Sequence, residues 1–225
     1  MGTIHLVRHG QASFGAADYD RLSDLGARQS ALLGEWLSRL GQPADQVICG
    51  TLLRHRQTAE ACLGAWGVSQ AIVEDDGFNE FDHRDILARA RPDLAEDGAL
   101  ARLVAEPDGR RAFQQAFAAA VERWMAGGHD AEYAEPWPAF RARCVAALRR
   151  VAERDGDVWV FTSGGPIAAL VQHVLGLSDG RMLELNWGIA NAGITRLVQG
   201  GRRLGGFNNV AHLEAAGGGA LITYR

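Results

Sequence analysis

Val158-Trp159-Val160-Phe161-Thr162-Ser163-Gly164-Gly165-Pro166 decides the fold class. Val158 to Thr162 are all β-branched or aromatic and uncharged, which reads as a strand buried on both faces, as in a parallel sheet. The Gly-Gly turn ends it at once, and Pro166 near the start of the next segment opens a helix to about Leu175. A strand passing directly into a helix leaves the side chains at its carboxyl end on the sheet rim, where open α/β sheets bind ligands. The free N–H groups of such a turn suit an anion, which makes Ser163 and Gly164 candidate phosphate-binding residues.

The same arrangement recurs outward from this stretch. Thr3 to Val7 is a strand that runs into Arg8-His9-Gly10-Gln11. Val47-Ile48-Cys49 is another, ending at Gly50-Thr51 before a helix from about Leu53 to Trp66 closed by Gly67, with Arg54 and Arg56 in its first turn. Ser23 is the expected N-cap of a helix to about Leu40, with Leu25, Leu32, Leu33, Trp36, Leu37 and Leu40 on one face. Ala71 to Val73 is a third strand, and Ala139 to about Glu153 a further helix. Ile194–Val198, Leu204–Phe207 and Leu221–Tyr224 read as closing strands. Alternating strands and helices indicate an α/β protein with a mostly parallel sheet. Between Phe78 and Trp137, Pro92, Pro107 and Gly127-Gly128 break the pattern. One helix, from about Arg110 to Ala126, carries Phe113, Phe117, Val121 and Trp124 on one face. The expected organisation is one domain over 1–225 with a substrate-covering insertion over about 81–137. Trp124, Tyr133 and Trp137 are candidates for an apolar mouth, with Trp124 better placed for the core.

Composition narrows the function classes. The 225 residues are 47% hydrophobic and 22% charged, with a net charge of −4, which gives no footing for nucleic acid. Cys49, Cys62 and Cys144 lie in apolar runs and read as reduced core thiols. The N-terminus shows no basic region followed by an apolar run, and no stretch approaches the ~20 apolar residues of a membrane span. A soluble, cytoplasmic monomer or homodimer is expected. No metal-ligand spacing appears; His5 and His9, four apart on a strand, are ~13 Å apart, too far to share one ion. No cofactor is expected.

Three strand ends thus present Arg8 and His9, then Arg54, then Ser163 and Gly164. An imidazole can act as a nucleophile, and guanidinium forks match phosphate oxygens. With these residues in place, the chain resembles the histidine phosphatase superfamily, or phosphoglycerate-mutase-like family. The resemblance lies in five ordered segments: Leu6 to Gln11; Asp20 to Gln29, similar to "D-x-L-[ST]-x-x-G-x-x-Q"; Leu52 to Ala59, similar to "L-x-R-A-x-Q-T-A"; Phe78-Asn79-Glu80, similar to "L-x-E"; and Asn208 to Leu213, similar to "N-x-x-x-H-L". It implies a three-layer α/β/α sandwich with a mostly parallel sheet and a helical cap insertion. It further implies that His9 accepts the phosphoryl group, that Arg8 and Arg54 hold its oxygens, that Glu80 protonates the leaving oxygen, and that Gln11, Ser163 and Gly164 line the phosphate. The substrate class is a small phosphorylated metabolite. Neutralising the equatorial oxygens with guanidinium groups needs no metal.

The chain departs from the family's pattern chiefly in three places. Ser163 stands where a "[ST]-H-G" turn carries a second histidine; Gly50 stands where serine is common; and Phe81-Asp82-His83-Arg84 lacks the usual glycine and tryptophan. Losing a charge-assisted donor costs on the order of 10²-fold in rate, so a gain of turnover in Ser163→His would show that the departure weakens catalysis. His83 or Arg84 is the leading substitute for the missing charge. His55, beside Arg54, and His212 read as packed or surface residues, and Trp187 and Asn191 as packing. Phe81 to Ala88 is mixed in charge and lacks the basic run of the mutases, which favours a phosphomonoester hydrolase over a phosphoglycerate mutase. The third alternative is a phosphate-ligand-binding or regulatory protein with weakened catalysis.

Overall fold

The computed structural model describes residues 2–13, 20–96 and 98–224. The chain divides into two compact units, one of residues 1–80 with 143–225 and one of residues 81–142. In the first unit lie β1 (Ile4–Arg8), α1 (Asp24–Arg39), β2 (Gln46–Cys49), α2 (Leu53–Trp66) and β3 (Ile72–Glu74). The second unit holds α3 (His83–Ala90), α4 (Ala99–Ala105), α5 (Gly109–Met125) and the start of α6 (Trp137–Ala152). The first unit resumes within α6 and continues through β4 (Val158–Thr162), α7 (Gly164–Leu175), α8 (Asp179–Gly188), β5 (Ile194–Val198), β6 (Arg203–Asn209) and α9 (Ala211–Gly217).

The sheet order is β3-β2-β4-β1-β5-β6. β3, β2, β4 and β1 are parallel neighbours, whereas β5 pairs antiparallel with β1 and with β6. β4 is buried along its whole length, as its unbroken apolar run requires. Strand alternation sends Val7, Val47, Cys49, Trp159 and Phe161 to one face, where they pack with Leu33 and Leu37 of α1 and Cys62, Leu63 and Trp66 of α2. α7 packs against β1 and β6. The result is an α/β sandwich on a mostly parallel sheet, with helical insertions. Cys49, Cys62 and Cys144 are buried, free thiols.

The helix ends follow their sequence signals. Ser23 Oγ accepts the Gly26 N–H at 3.1 Å as the N-cap of α1, and Gly67, at φ 77°, closes α2 in the left-handed region. Two expectations are corrected. Leu221–Tyr224 is not a strand: the glycine-rich run before it winds into a 3₁₀ turn over Gly218–Leu221, and Thr223 is held by Asn191 instead of a ladder. Four helices, α3, α4, α8 and α9, were not anticipated; they are short, and their apolar positions are too few to show a period. In the second unit, Trp124, Tyr133 and Trp137 are all buried, so none lines an open mouth. Trp124 lies 5.1 Å from Phe81 and 5.2 Å from Trp137, ring to ring.

The β1 turn meets α1 at van der Waals limits. A Cβ on Gly26 would lie 2.1 Å from the Gln11 carbonyl oxygen, and one on Gly10 would lie 2.3 Å from the Gly26 carbonyl oxygen. Both obstacles are backbone and cannot swing aside. Gly26→Ala is therefore expected to destabilise the fold by about 1–3 kcal/mol, read as a lower urea midpoint at unchanged slope. Wild-type stability would show that the turn and α1 separate freely.

Buried imidazoles also set an acid limit. His212 is fully buried in α9, and burial lowers its pKa from 6.5 to about 4. Burial lowers that of His5 as well, partly countered by Asp157. The unfolded chain binds these protons first, so the stability they contribute is present above pH 6.5 and is lost as pH falls toward about 4. For His212 this comes to about 3 kcal/mol at about 1.4 kcal/mol per pH unit. Urea unfolding across pH 7 to 4 is expected to show that decline, reduced in His212→Phe. An equal decline in that variant would contradict it.

Candidate active site

Parallel pairing of β1 with β4 puts Arg8 opposite Thr162, so His9 and Ser163 follow side by side at the sheet rim. The His9 N–H donates to the Thr162 carbonyl at 2.8 Å, extending the ladder one step. His9 is buried, and its Nδ1 lies 2.7 Å from the Gly10 carbonyl oxygen. A carbonyl can only accept, so Nδ1 carries the proton and Nε2 is left with its lone pair. Burial pushes the His9 pKa well below its usual value; the positive charges of Arg54 and Arg8 and the neighbouring His55 push the same way. The imidazole is neutral, as a nucleophile must be.

The flanking groups are held from several elements. Arg8 donates through Nη1 to the Ile189 carbonyl. That loop is fixed by Asn208, whose side chain accepts from Ala190 N–H at 2.8 Å and donates to the Gly188 carbonyl at 2.7 Å. Asn208 adopts a left-handed φ of 52°, which asparagine tolerates better than most residues. Arg54 is buried at the start of α2 and pairs with Asp20 at 2.6 Å, while the same carboxylate accepts the Leu53 N–H at 2.8 Å. Thr58 Oγ1 accepts from Gly10 N–H at 3.1 Å and donates to the Arg54 carbonyl at 2.7 Å, tying the His9 turn to the arginine's helix.

Glu80 Oε2 accepts the Gly165 N–H at 3.2 Å, at the N-terminus of α7. Three contacts hold the segment leading to it. Thr162 Oγ1 donates to the Phe78 carbonyl at 2.6 Å; Asn79 exchanges hydrogen bonds with Thr51 at 2.7 Å each; and Arg143 Nη1 donates to the carbonyls of Asp76, Gly77 and Asn79. Gly164 opens α7 beside Arg8: a Cβ there would lie 3.7 Å from the Arg8 Nε.

The structure thus gathers Arg8, His9, Arg54, Glu80, Ser163 and Gly164 in the first unit. Gln11 is held close by, its side-chain oxygen accepting from Ser23 Oγ at 2.9 Å and its N–H donating to Gln29 Oε1 at 2.8 Å. His83 and Arg84 open α3 in the second unit. The imidazole beside His9 is His55. It is fully buried, its ring centroid is 5.8 Å from that of His9, and its Nε2 lies 2.6 Å from Ser163 Oγ. Burial and the Arg54 charge push its pKa well below the usual value.

Asn191 was read as packing, but its Nδ2 donates to the His9 carbonyl at 3.1 Å and its Oδ1 accepts from Thr223 Oγ1 at 2.8 Å. Trp187, also read as packing, is 44% exposed. Sequence reasoning passed over Asp20, Thr58 and Asn208 as individual residues, although each stands in a segment that it had marked.

Among the described residues, no helix is long and apolar enough to cross a membrane. The sequence matches the histidine phosphatase superfamily (branch 1) over residues 4–209. No match was found among curated proteins. Among solved structures, a phosphoglycerate mutase from Bacillus anthracis superposes with a TM-score of 0.62 at 17% identity, covering 94% of this chain and 95% of that one. A phosphoserine phosphatase mutant from Entamoeba histolytica, in complex with phosphoserine, gives 0.61 at 18% identity, covering 95% and 100%. A mycobacterial glucosyl-3-phosphoglycerate phosphatase gives 0.58 at 20% identity, covering 92% and 99%. At these identities the likeness is one of fold, and the match over 4–209 carries the family. The chain belongs to the histidine phosphatase superfamily, in its phosphoglycerate-mutase-like branch, and is an enzyme of the phosphatase class.

Proposed function

We propose that the protein hydrolyses the phosphomonoester of a small metabolite in the cytoplasm through a phosphohistidine at His9. The observation that carries this reading is the His9 tautomer: Nδ1–H is committed to the Gly10 carbonyl at 2.7 Å, leaving Nε2 unprotonated among positive charges. Nε2 attacks phosphorus, and the P–O ester bond breaks as Glu80 gives its proton to the departing alkoxide. Water then attacks the phosphohistidine and gives a proton to the Glu80 carboxylate; the P–N bond breaks, returning neutral His9 and free phosphate. Arg8 and Arg54 offset the charge of the transferring oxygens, with Gln11, Ser163 and the Gly164 backbone completing the phosphate cradle. In the resting site Arg54 is paired with Asp20, so phosphate binding shares or displaces that carboxylate.

Hydrolysis is favoured over return of the phosphoryl group to the substrate because Phe81 to Ala88, after Glu80, is mixed in charge, with no basic run to hold a second phosphate.

With a generic aryl phosphate, His9→Ala is expected to abolish release of phosphate, and Glu80→Gln to lower kcat by about 10²-fold or more. The acid limb of kcat/KM is expected below pH 6.5, since turnover falls only as His9 protonates and its pKa lies below 6.5. Undiminished turnover in His9→Ala would overturn the mechanism. Phosphate binding without turnover in the wild type would leave a binding or regulatory protein instead.

A further inference from the structure

His55, Ser163 and Gly50 form one packed unit beside His9. His55 Nε2 is 2.6 Å from Ser163 Oγ, with both residues fully buried. Ser163 is the N-cap of α7, a place where serine ordinarily accepts a helix N–H; here its side chain makes no capping bond. Gly50 supplies the room, because a Cβ at that position would lie 2.3 Å from His55 Nδ1. The three positions depart from the family's segments together: His in place of Ala at 55, Gly in place of Ser at 50, Ser in place of His at 163. Relative to the pattern that the resemblance carries, no imidazole stands at the end of β4, and one from α2 reaches Ser163 there.

The proton positions follow from the surroundings. Nδ1 of His55 has no hydrogen-bond partner among the described residues. A proton there would be a buried donor with nothing to donate to, which is disfavoured, so the proton belongs on Nε2. Nε2–H then donates to Ser163 Oγ, and the single hydroxyl proton of Ser163 is left to point away from His55. His9, the next rim residue on the neighbouring strand, lies beside this pair, its ring centroid 5.8 Å from that of His55.

We propose that His55 is a positioning residue for phosphoryl transfer: it holds the Ser163 hydroxyl so that its proton is donated to the phosphoryl group on His9. This inference rests on the reading of His9 as the nucleophile. It also revises the expectation for Ser163→His, since an imidazole at 163 has to occupy space that His55 already fills.

The test measures kcat and KM for an aryl phosphate in a set of variants checked for folding by circular dichroism. Ser163→Ala and His55→Leu are each expected to lower kcat by about 10²-fold, with KM changed by less than about 3-fold. Combined, they are expected to lose no more than either alone, because both remove the same donor. His55→Gln, whose amide can still donate to Oγ, is expected to retain kcat within about 10-fold of wild type. Ser163→His alone is expected to lose activity, and Ser163→His with His55→Ala to recover it to within about 10-fold. Unchanged kcat in His55→Leu, or losses that multiply in the double variant, would overturn the proposal while leaving His9 as nucleophile. No turnover in the wild type would instead overturn the functional reading on which it stands.

Discussion

One hydrogen bond, from His9 Nδ1–H to the Gly10 carbonyl, decides what this site can do. A histidine so placed exposes the lone pair of Nε2, and burial with two arginines keeps that lone pair unprotonated. The bond forms only because the chain turns sharply after β1, and the turn is possible only because Gly10 and Gly26 let the backbone lie against α1. The catalytic tautomer therefore depends on backbone packing as much as on the side chains of the site.

The rest of the first unit repeats that arrangement, with each reactive group held by residues from another element. Thr58 links the His9 turn to the helix of Arg54; Asn208 at the end of β6 fixes the loop that accepts from Arg8; Arg143 and Thr162 hold the segment that ends in Glu80. Phosphoryl transfer gains chiefly from positioning and charge neutralisation, so a preorganised set of this kind suits the chemistry.

The strands and the long helices were legible because local signals stated them: an apolar run at β4, a serine cap at α1, a left-handed glycine after α2. The rim residues were legible for the same reason, since glycine turns mark strand ends. The helices α8 and α9 are too short for their apolar positions to show a period, although Ser178 stands at the N-cap of α8, and Leu221–Tyr224 looked like a strand because its hydrogen bonds to Asn191 and Gln29 come from distant parts of the chain. His55 was weighed and set aside in favour of His83. Its neighbour Arg54 was identified, yet whether a helical residue faces inward depends on how the helix meets the sheet, which single positions do not reveal. The signal that was available was joint: Gly50 leaves the space that His55 fills, and His55 meets Ser163.

The central claim is that Nε2 of His9 takes the phosphoryl group. The direct measurement is mass spectrometry of the protein quenched at alkaline pH within milliseconds of mixing with an aryl phosphate. The account predicts an acid-labile phosphoryl group on the peptide containing His9, absent from His9→Ala. Label on another residue, or turnover that persists in His9→Ala with no phosphoprotein formed, would contradict it.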